Sequence, residues 1–255
     1  MSSSTDATLP ALDCHAHLAP DVTAGQLDAL GQVTIFAVTR SLEEGEEVAH
    51  HTDHRLVWGC GMHPGLSGAR RAYDADRFRT LIQRFALIGE VGLDLRAGKL
   101  DEQMAVFRSI LNVIQGAPVM VSVHSAGCTS EVVRIVAENP HPGTILHWFL
   151  GTAEEIQTAA RLGCYFSVNS AMPNATLRLM PRDMVLPETD YPSTADRGVR
   201  RPGDISKLES KLAEIYGEPT EKVRLRFYRN LRTLALASGA IEGFPEQLAD
   251  RLLAM

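Results

Sequence analysis

The stretch Leu12-Asp13-Cys14-His15-Ala16-His17 ends a short apolar run near the N-terminus. On an extended chain, side chains two positions apart point to the same face, so His15 and His17 would present both imidazoles on one side of a strand. Two adjacent imidazoles can bind one divalent cation. By itself, His-x-His is equally consistent with two ordinary histidines at a strand end. The metal interpretation therefore depends on other His, Glu and Asp residues that follow apolar runs further along the chain.

The composition is typical of a globular α/β protein. The chain has 255 residues, a length that suits one α/β barrel, and 45% of them are hydrophobic, enough for a large core. No apolar run approaches the roughly 18 residues of a membrane span, and the start has no signal-peptide pattern. The four cysteines form no CxxC motif, so we expect reduced thiols in a cytoplasmic protein. The net charge of −6 argues against nucleic-acid binding over the whole surface, but not against a local basic patch or a substrate held through metal ions.

Short apolar segments alternate with amphipathic ones from end to end. The apolar segments are typical of buried parallel strands: Ala11–His15, Val33–Val38, Leu56–Cys60, Phe85–Glu90, Pro118–His124, Thr144–Trp148, Cys164–Val168 and Met184–Thr189. The main helical patterns are Leu42–His51, Asp76–Arg84, Leu100–Gln115, Ser130–Glu138, Ala153–Leu162, Asp204–Tyr216, Pro219–Ala237 and Pro245–Ala254. This alternation predicts a (β/α)8 TIM barrel that forms a single domain over residues 1–255. We expect residues 1–9 to be disordered and residues 191–203 to form a loop on the functional rim.

Most of the predicted strands end in, or are followed by, a group that can bind metal or carry a proton. These groups are His15 and His17 after the first strand, His63 after the third, Glu90 at the fourth, His124 at the fifth, His147 at the sixth and Asp190 after the eighth. Because the active site of such a barrel lies at the carboxyl ends of its strands, these side chains should meet. A lone strand-end histidine is more often structural, whereas the full set indicates a metal or catalytic site.

The motifs around these residues resemble those of a known family. They are Asp13-Cys14-His15-Ala16-His17, Gly61-Met62-His63-Pro64, Gly89-Glu90-Val91-Gly92-Leu93-Asp94, Ser122-Val123-His124-Ser125, Leu146-His147-Trp148-Phe149-Leu150-Gly151 and Glu188-Thr189-Asp190-Tyr191-Pro192. In this order they resemble the TatD family of metal-dependent nucleases, within the amidohydrolase-type barrels, and the resemblance extends to about Leu231. It implies a two-metal site in which His15, His17 and Asp190 hold one ion, His124 and His147 hold the other, and Glu90 bridges them.

The residue types agree with this implication. Imidazoles and carboxylates without cysteine suit Zn, Mn, Fe or Mg with positions open for water. Two metals about 3.5–4 Å apart can clamp an attacking water and a phosphoryl oxygen. We interpret Asp190 as both a ligand and the general base, and Glu90 as a bridge. His63 is expected to contact the substrate or the leaving group, the alternative being a histidine that only stabilises the turn before Pro64.

The sequence also departs from the family. Members usually carry an arginine two residues after the fifth-strand histidine, where this chain has Ala126, and the departure weakens the case for a DNA backbone as substrate. Trp148 is either a pocket residue that stacks on a base or a part of the core. Three arginines of the last rim loop either supply the missing phosphate contacts or form a solvated surface: Arg197, Arg200 and Arg201.

These observations predict a metal-dependent hydrolase that cleaves phosphodiester bonds of single-stranded or end-frayed DNA. Two alternatives stay open, because one barrel supports many chemistries. The first is a hydrolase of a small amide, lactone or phosphate ester, and the second is a non-catalytic metal-binding subunit of a larger assembly. Divergent TatD-like proteins also occur in anti-phage defence gene clusters, so the resemblance adds a defence role with protein partners as an expectation.

Overall fold

Eight parallel strands form a barrel in which each strand pairs with the next one along the chain. The structure is a computed structural model that describes residues 9–255. The strands are β1 (Ala11–Ala16), β2 (Val33–Val38), β3 (Leu56–Cys60), β4 (Leu87–Asp94), β5 (Met120–Ala126), β6 (Thr144–His147), β7 (Tyr165–Val168) and β8 (Val185–Pro187). This architecture confirms the predicted (β/α)8 TIM barrel.

Helices connect the strands and follow the last one. They are α1 (Ala24–Asp28), α2 (Leu42–Val48), α3 (Ser67–Ala72), α4 (Ala75–Leu81), α5 (Leu100–Val113), α6 (Thr129–Glu138), α7 (Ala153–Arg161), α8 (Asn174–Leu179), α9 (Ser206–Tyr216), α10 (Thr220–Ser238) and α11 (Glu246–Leu253). The sequence did not predict α1, α3 and α8. Each of these has five or six residues, too few to display the helical repeat of apolar side chains.

Two strands differ from the predicted ranges in a way that matters for the site. β4 continues to Asp94 instead of ending at Glu90, because Gly92 pairs with His124 and Asp94 pairs with Ala126 of β5. Glu90 therefore lies inside the strand, where the pairing register shifts. β8 is shorter than predicted and ends at Pro187.

The seam between β1 and β8 is closed by a side chain. Asp13 Oδ1 accepts a hydrogen bond from Thr189 N (2.8 Å), and Oδ2 accepts from Thr189 Oγ1 (2.6 Å) and Gly203 N (2.8 Å). Burial raises the pKa of Asp13 to about 6 although these donors act in the opposite direction. Just above the seam, Asp190 N donates to His15 O at 2.9 Å. The seam therefore fixes the residues that follow β8 beside the end of β1.

The loop at residues 191–203 consists of turns and one 3₁₀ turn, Ala195–Arg197. Gly203 anchors its far end. Its φ is +80°, and a Cβ there would lie 2.4 Å from Val33 Cγ2, so a larger residue would strain the backbone and clash with β2. The loop therefore begins and ends near Asp13, at Thr189 and at Gly203.

The segment predicted to be disordered, residues 1–9, lies outside the described residues except for Leu9. The carbonyl of Leu9 accepts a hydrogen bond from Arg224 Nη1 at 3.0 Å. Among residues 9–255, no helix is long and apolar enough to cross a bilayer.

We predict that Asp13→Asn lowers the free energy of unfolding by about 1–3 kcal/mol, because an amide group cannot accept at both positions and a buried donor of Thr189 or Gly203 is left unpaired. Thermal unfolding followed by circular dichroism measures the effect. Asp28→Asn is the matched control, since the Asp28 side chain is 74% exposed in its ion pair with Arg55. Equal melting temperatures for Asp13→Asn and the wild type would contradict the role of Asp13 in the seam.

Candidate metal centre

Glu90 occupies the middle of the carboxyl end of the barrel and is 1% exposed. Its Oε1 lies 2.5 Å from His124 Nδ1 and 3.0 Å from His147 Nε2. A buried carboxylate needs compensating charge or hydrogen-bond donors. These two imidazoles, from β5 and β6, supply them on one side of the carboxylate.

The other oxygen of Glu90 faces three more histidines at longer distances. Oε2 lies 3.2 Å from His17 Nε2, 3.4 Å from His63 Nε2 and 3.7 Å from His15 Nε2. Within the described part of the chain, Glu90 Oε2 and His15 Nε2 are buried without a hydrogen-bond partner. Two buried atoms that each carry an unpaired lone pair, side by side, are what a cation between them would satisfy.

Asp190 faces the same pair of β1 histidines. Its Oδ1 lies 3.7 Å from His17 Nε2 and 3.8 Å from His15 Nε2. The backbone at Asp190 is in the left-handed region, with φ +48°, a conformation that aspartate tolerates better than most residues. That geometry, together with the seam, turns the carboxylate inward.

Three residues that the sequence analysis did not single out hold the histidines from behind. Ser122 Oγ lies 2.7 Å from His15 Nδ1, Asp94 Oδ2 lies 3.3 Å from His124 Nε2, and Glu188 Oε2 lies 3.4 Å from His147 Nδ1. In each ring the other nitrogen is directed at the centre, an arrangement that is usual for metal-binding histidines. A signal was present in the sequence, because each residue lies two or four positions from a predicted ligand and so shares its face of an extended chain.

His63 is placed differently from the other histidines. Its Nδ1 accepts a hydrogen bond from Gly65 N at 2.9 Å, so a neutral His63 carries its proton on Nε2, the atom that faces Glu90. A protonated nitrogen can donate a hydrogen bond but cannot bind a metal. This geometry is consistent with the prediction that His63 contacts substrate, and it keeps the ring within reach of the centre.

Burial shifts the pKa values of the residues around the centre. It lowers the pKa of His15 to about 4 and raises that of Asp190 to about 7. Burial alone would also raise the pKa of Glu90, but His124 and His147 outweigh it and hold that pKa well below its usual range. The central carboxylate is therefore an anion, while His15 is a neutral imidazole with a free lone pair. Both forms are suited to binding a cation.

The cluster as a whole fits divalent ions. Three groups of side chains have ligand atoms within 4.8 Å of one another: His15, His17 and Asp190; His63, Glu90 and His124; and His15, His147 and Glu188. These groups offer nitrogen and oxygen atoms without sulfur, a donor set that suits Zn, Mn, Fe or Mg. The proton on His63 Nε2 excludes that ring as a ligand, and Glu188 lies behind His147. The structure thus brings together every residue for which the sequence analysis predicted a metal or proton-transfer role.

The predicted substrate-binding residues fall into two groups. Trp148 is half-buried, and the Arg197 guanidinium lies over its ring, 5.5 Å from the centroid. Arg200 is exposed on the same loop. Arg201 is directed elsewhere, because its Nη1 donates to the carbonyl of Ala29 at 2.8 Å, at the turn that precedes β2. Arg197 and Trp148 therefore form the part of the predicted surface nearest to His147.

Comparisons with known proteins agree with this architecture. The family described as "TatD related DNase" matches residues 12–235. A relative from Enterobacter lignolyticus, named 3'-5' ssDNA/RNA exonuclease TatD, is 26% identical over 238 residues, which are 84% of this chain and 92% of the relative. The solved structure of YjjV, a TatD homolog from Escherichia coli K12, superposes with a TM-score of 0.75 at 19% identity, over 87% of this chain and 97% of that one.

A hydrolase TatD family protein from Entamoeba histolytica superposes with a TM-score of 0.70 at 16% identity, over 89% of this chain and 98% of that one. At such low identity, the two solved structures show the shared fold alone. The family match carries more, because it spans most of the chain and includes every residue of the cluster. This chain therefore belongs to the TatD-related DNase family.

Proposed function

We propose that this protein is a hydrolase that uses two divalent cations to cleave phosphodiester bonds of single-stranded DNA. The observation that carries the proposal is Glu90, whose two buried oxygens face two different sets of imidazoles. A carboxylate in that position is suited to serve two cations at once. Membership in the TatD-related DNase family supports the same chemistry.

Six side chains would hold the cations. His15, His17 and Asp190 would bind one, His124 and His147 would bind the other, and Glu90 would bridge them. Bound divalent cations would supply Lewis-acid chemistry, lowering the pKa of a water toward about 7 and neutralising charge on a phosphoryl oxygen. The donor set suits Zn, Mn, Fe or Mg.

The chain's own residues would carry the proton transfers. Asp190 reaches the β1 histidines with one oxygen, which leaves the other free to accept a proton from the attacking water. His63 carries a proton on Nε2 and lies at the edge of the cluster, where it would donate a hydrogen bond to the leaving oxygen. Glu188 and Asp94 would keep His147 and His124 in the required orientation.

Single-stranded nucleic acid suits the rim beside the cluster. Trp148 offers an aromatic face and Arg197 offers a cation over it, a combination that binds a base together with its phosphate. The name of the Enterobacter relative, an exonuclease of single-stranded DNA and RNA, points to the same substrate class.

A small amide, lactone or phosphate ester is the competing substrate class, since Ala126 presents no guanidinium after His124. Assays with 3′- and 5′-labelled single-stranded DNA beside small ester and amide substrates separate the two proposals. Turnover of the small substrates alone would overturn the nuclease proposal. A cytoplasmic location, protein partners and a role in anti-phage defence stay predictions.

Glu90→Ala should remove most of the metal from both positions, because the one carboxylate that would serve both cations is lost. Metal per chain is counted by mass spectrometry after purification under mild conditions. The control is Glu209→Ala, which removes a buried carboxylate paired with Arg224 outside the cluster and should keep its metal. Full metal occupancy in a folded Glu90→Ala protein would show that Glu90 is not a bridge.

Asp190→Asn should reduce kcat by at least about a hundredfold, the scale expected for the loss of a general base. The amide keeps the shape of the side chain, so the fold and the cation held by His124 and His147 should remain. Asp196→Asn is the control, because that side chain is 81% exposed on the same loop. Near-normal turnover in a metal-loaded Asp190→Asn protein would show that Asp190 is not the base.

Arg197→Ala should weaken the binding of single-stranded DNA and flatten its salt dependence by about 0.7 in the log–log slope, the value for one phosphate contact. Arg201→Ala is the matched control. The Arg201 guanidinium donates to the carbonyl of Ala29, so its removal should leave the salt dependence unchanged. Fluorescence anisotropy of a labelled oligonucleotide measures both. Equal salt dependence of DNA binding in the two variants would show that Arg197 does not contact the DNA.

A further inference from the structure

Arg96 lies immediately beyond the end of β4, in the 3₁₀ turn Leu95–Ala97. Its Nε and Nη2 donate to the two oxygens of Asp94 at 3.1 and 2.9 Å, and its backbone N donates to Asp94 Oδ1 at 2.9 Å. The same Asp94 carboxylate contacts His124 at 3.3 Å. The Asp94 carboxylate therefore lies between the Arg96 guanidinium and His124 of the cluster.

The side chain of Arg96 is 78% exposed in spite of this anchoring. Among residues 9–255, no hydrogen bond involves its Nη1, so one edge of the guanidinium faces solvent with its donors free. A guanidinium already held in one orientation loses less conformational entropy when it binds an anion, and its planar donors match a phosphate.

The position of Arg96 also matters in relation to Ala126. Asp94 and Ala126 are paired across β4 and β5, so the turn that begins after Asp94 lies beside the place where the resemblance leads one to expect an arginine. In this chain the guanidinium of Arg96 lies just beyond the end of the neighbouring strand, β4, instead. A positive charge is therefore present near Ala126, although Ala126 itself carries none.

The second cation of the rim lies two strands further round the barrel. The strands follow one another in chain order, so the end of β5, which carries His124, lies between the ends of β4 and β6. Arg197 lies over Trp148, the residue that follows β6. Arg96 and Arg197 therefore flank the end of β5, one on each side.

We propose that Arg96 binds a phosphate of a single-stranded nucleic acid that crosses the centre from Arg96 to Arg197. The inference rests on the proposed nuclease function and adds to it a residue that determines specificity. The preferred substrate is a strand with phosphates on both sides of the bond to be cleaved, rather than a mononucleotide or a small phosphate ester. Arg96 is thereby a specificity residue for strand length.

Binding of labelled single-stranded DNA, measured by anisotropy in the Asp190→Asn background to prevent cleavage, tests this proposal. Arg96→Ala should weaken binding of a long oligonucleotide about tenfold, the scale of one charge-assisted hydrogen bond at an exposed site, and lower the salt slope by about 0.7. The wild-type centre should bind a long strand more tightly than a dinucleotide. The ratio of these two affinities should be smaller in Arg96→Ala. Unchanged affinity and slope would overturn the proposal.

Two further variants make the result specific. Arg79→Ala removes an exposed arginine that pairs with Asp76 on α4 and should bind DNA as the parent does. Adding Ala126→Arg to Arg96→Ala should restore the slope, because it returns a guanidinium to the paired position of the next strand. Restoration supports the proposal, and no restoration in a folded protein opposes it. Failure of the wild type to cleave DNA while Arg96 still governs DNA binding would contradict the nuclease proposal and leave this one standing.

Discussion

The buried carboxylate of Asp13 is the constraint on which the site depends. A barrel must join its last strand to its first, and here the last strand ends before the residues that matter. Asp13 accepts hydrogen bonds from Thr189, just beyond β8, and from Gly203 at the far end of the rim loop. Because both ends of the loop are fixed at one side chain, Asp190 is set beside His15 and His17, and Arg197 is left on the rim.

The centre itself is arranged around a buried anion, the carboxylate of Glu90. Glu90 is stable there because imidazoles from four different strand ends surround it, and the imidazoles are in turn oriented by Asp94, Glu188 and Ser122. From Glu90 outward, a carboxylate is followed by imidazoles, and two of these imidazoles are followed by the carboxylates of Asp94 and Glu188. What this arrangement leaves unpaired, Glu90 Oε2 and His15 Nε2, marks where positive charge is needed, and a divalent cation supplies it without adding a proton.

Much of this was accessible from the sequence, and the reasons for the rest are physical. The strand ends were predictable because polar residues interrupt apolar runs there, and parallel strands in a barrel bring those ends together. The extension of β4 to Asp94 was not, because strand pairing rather than composition decides it. The same extension created the contact of Asp94 with His124. Arg201 illustrates the opposite case, because its guanidinium donates to the carbonyl of Ala29, a partner far away in the sequence that no local pattern could predict.

Charge distribution reconciles an acidic protein with a polyanionic substrate. The net charge of −6 repels nucleic acid from the surface in general, so binding must depend on a few local cations and on metal. Arg96 and Arg197 lie on the two sides of the end of β5, and both guanidinium groups are exposed, although Arg96 is paired with the buried Asp94. A strand with several phosphates can contact both cations, whereas a single phosphate can contact only one of them. Selection for a strand therefore follows from where the two cations lie, even though the position after His124 carries no arginine.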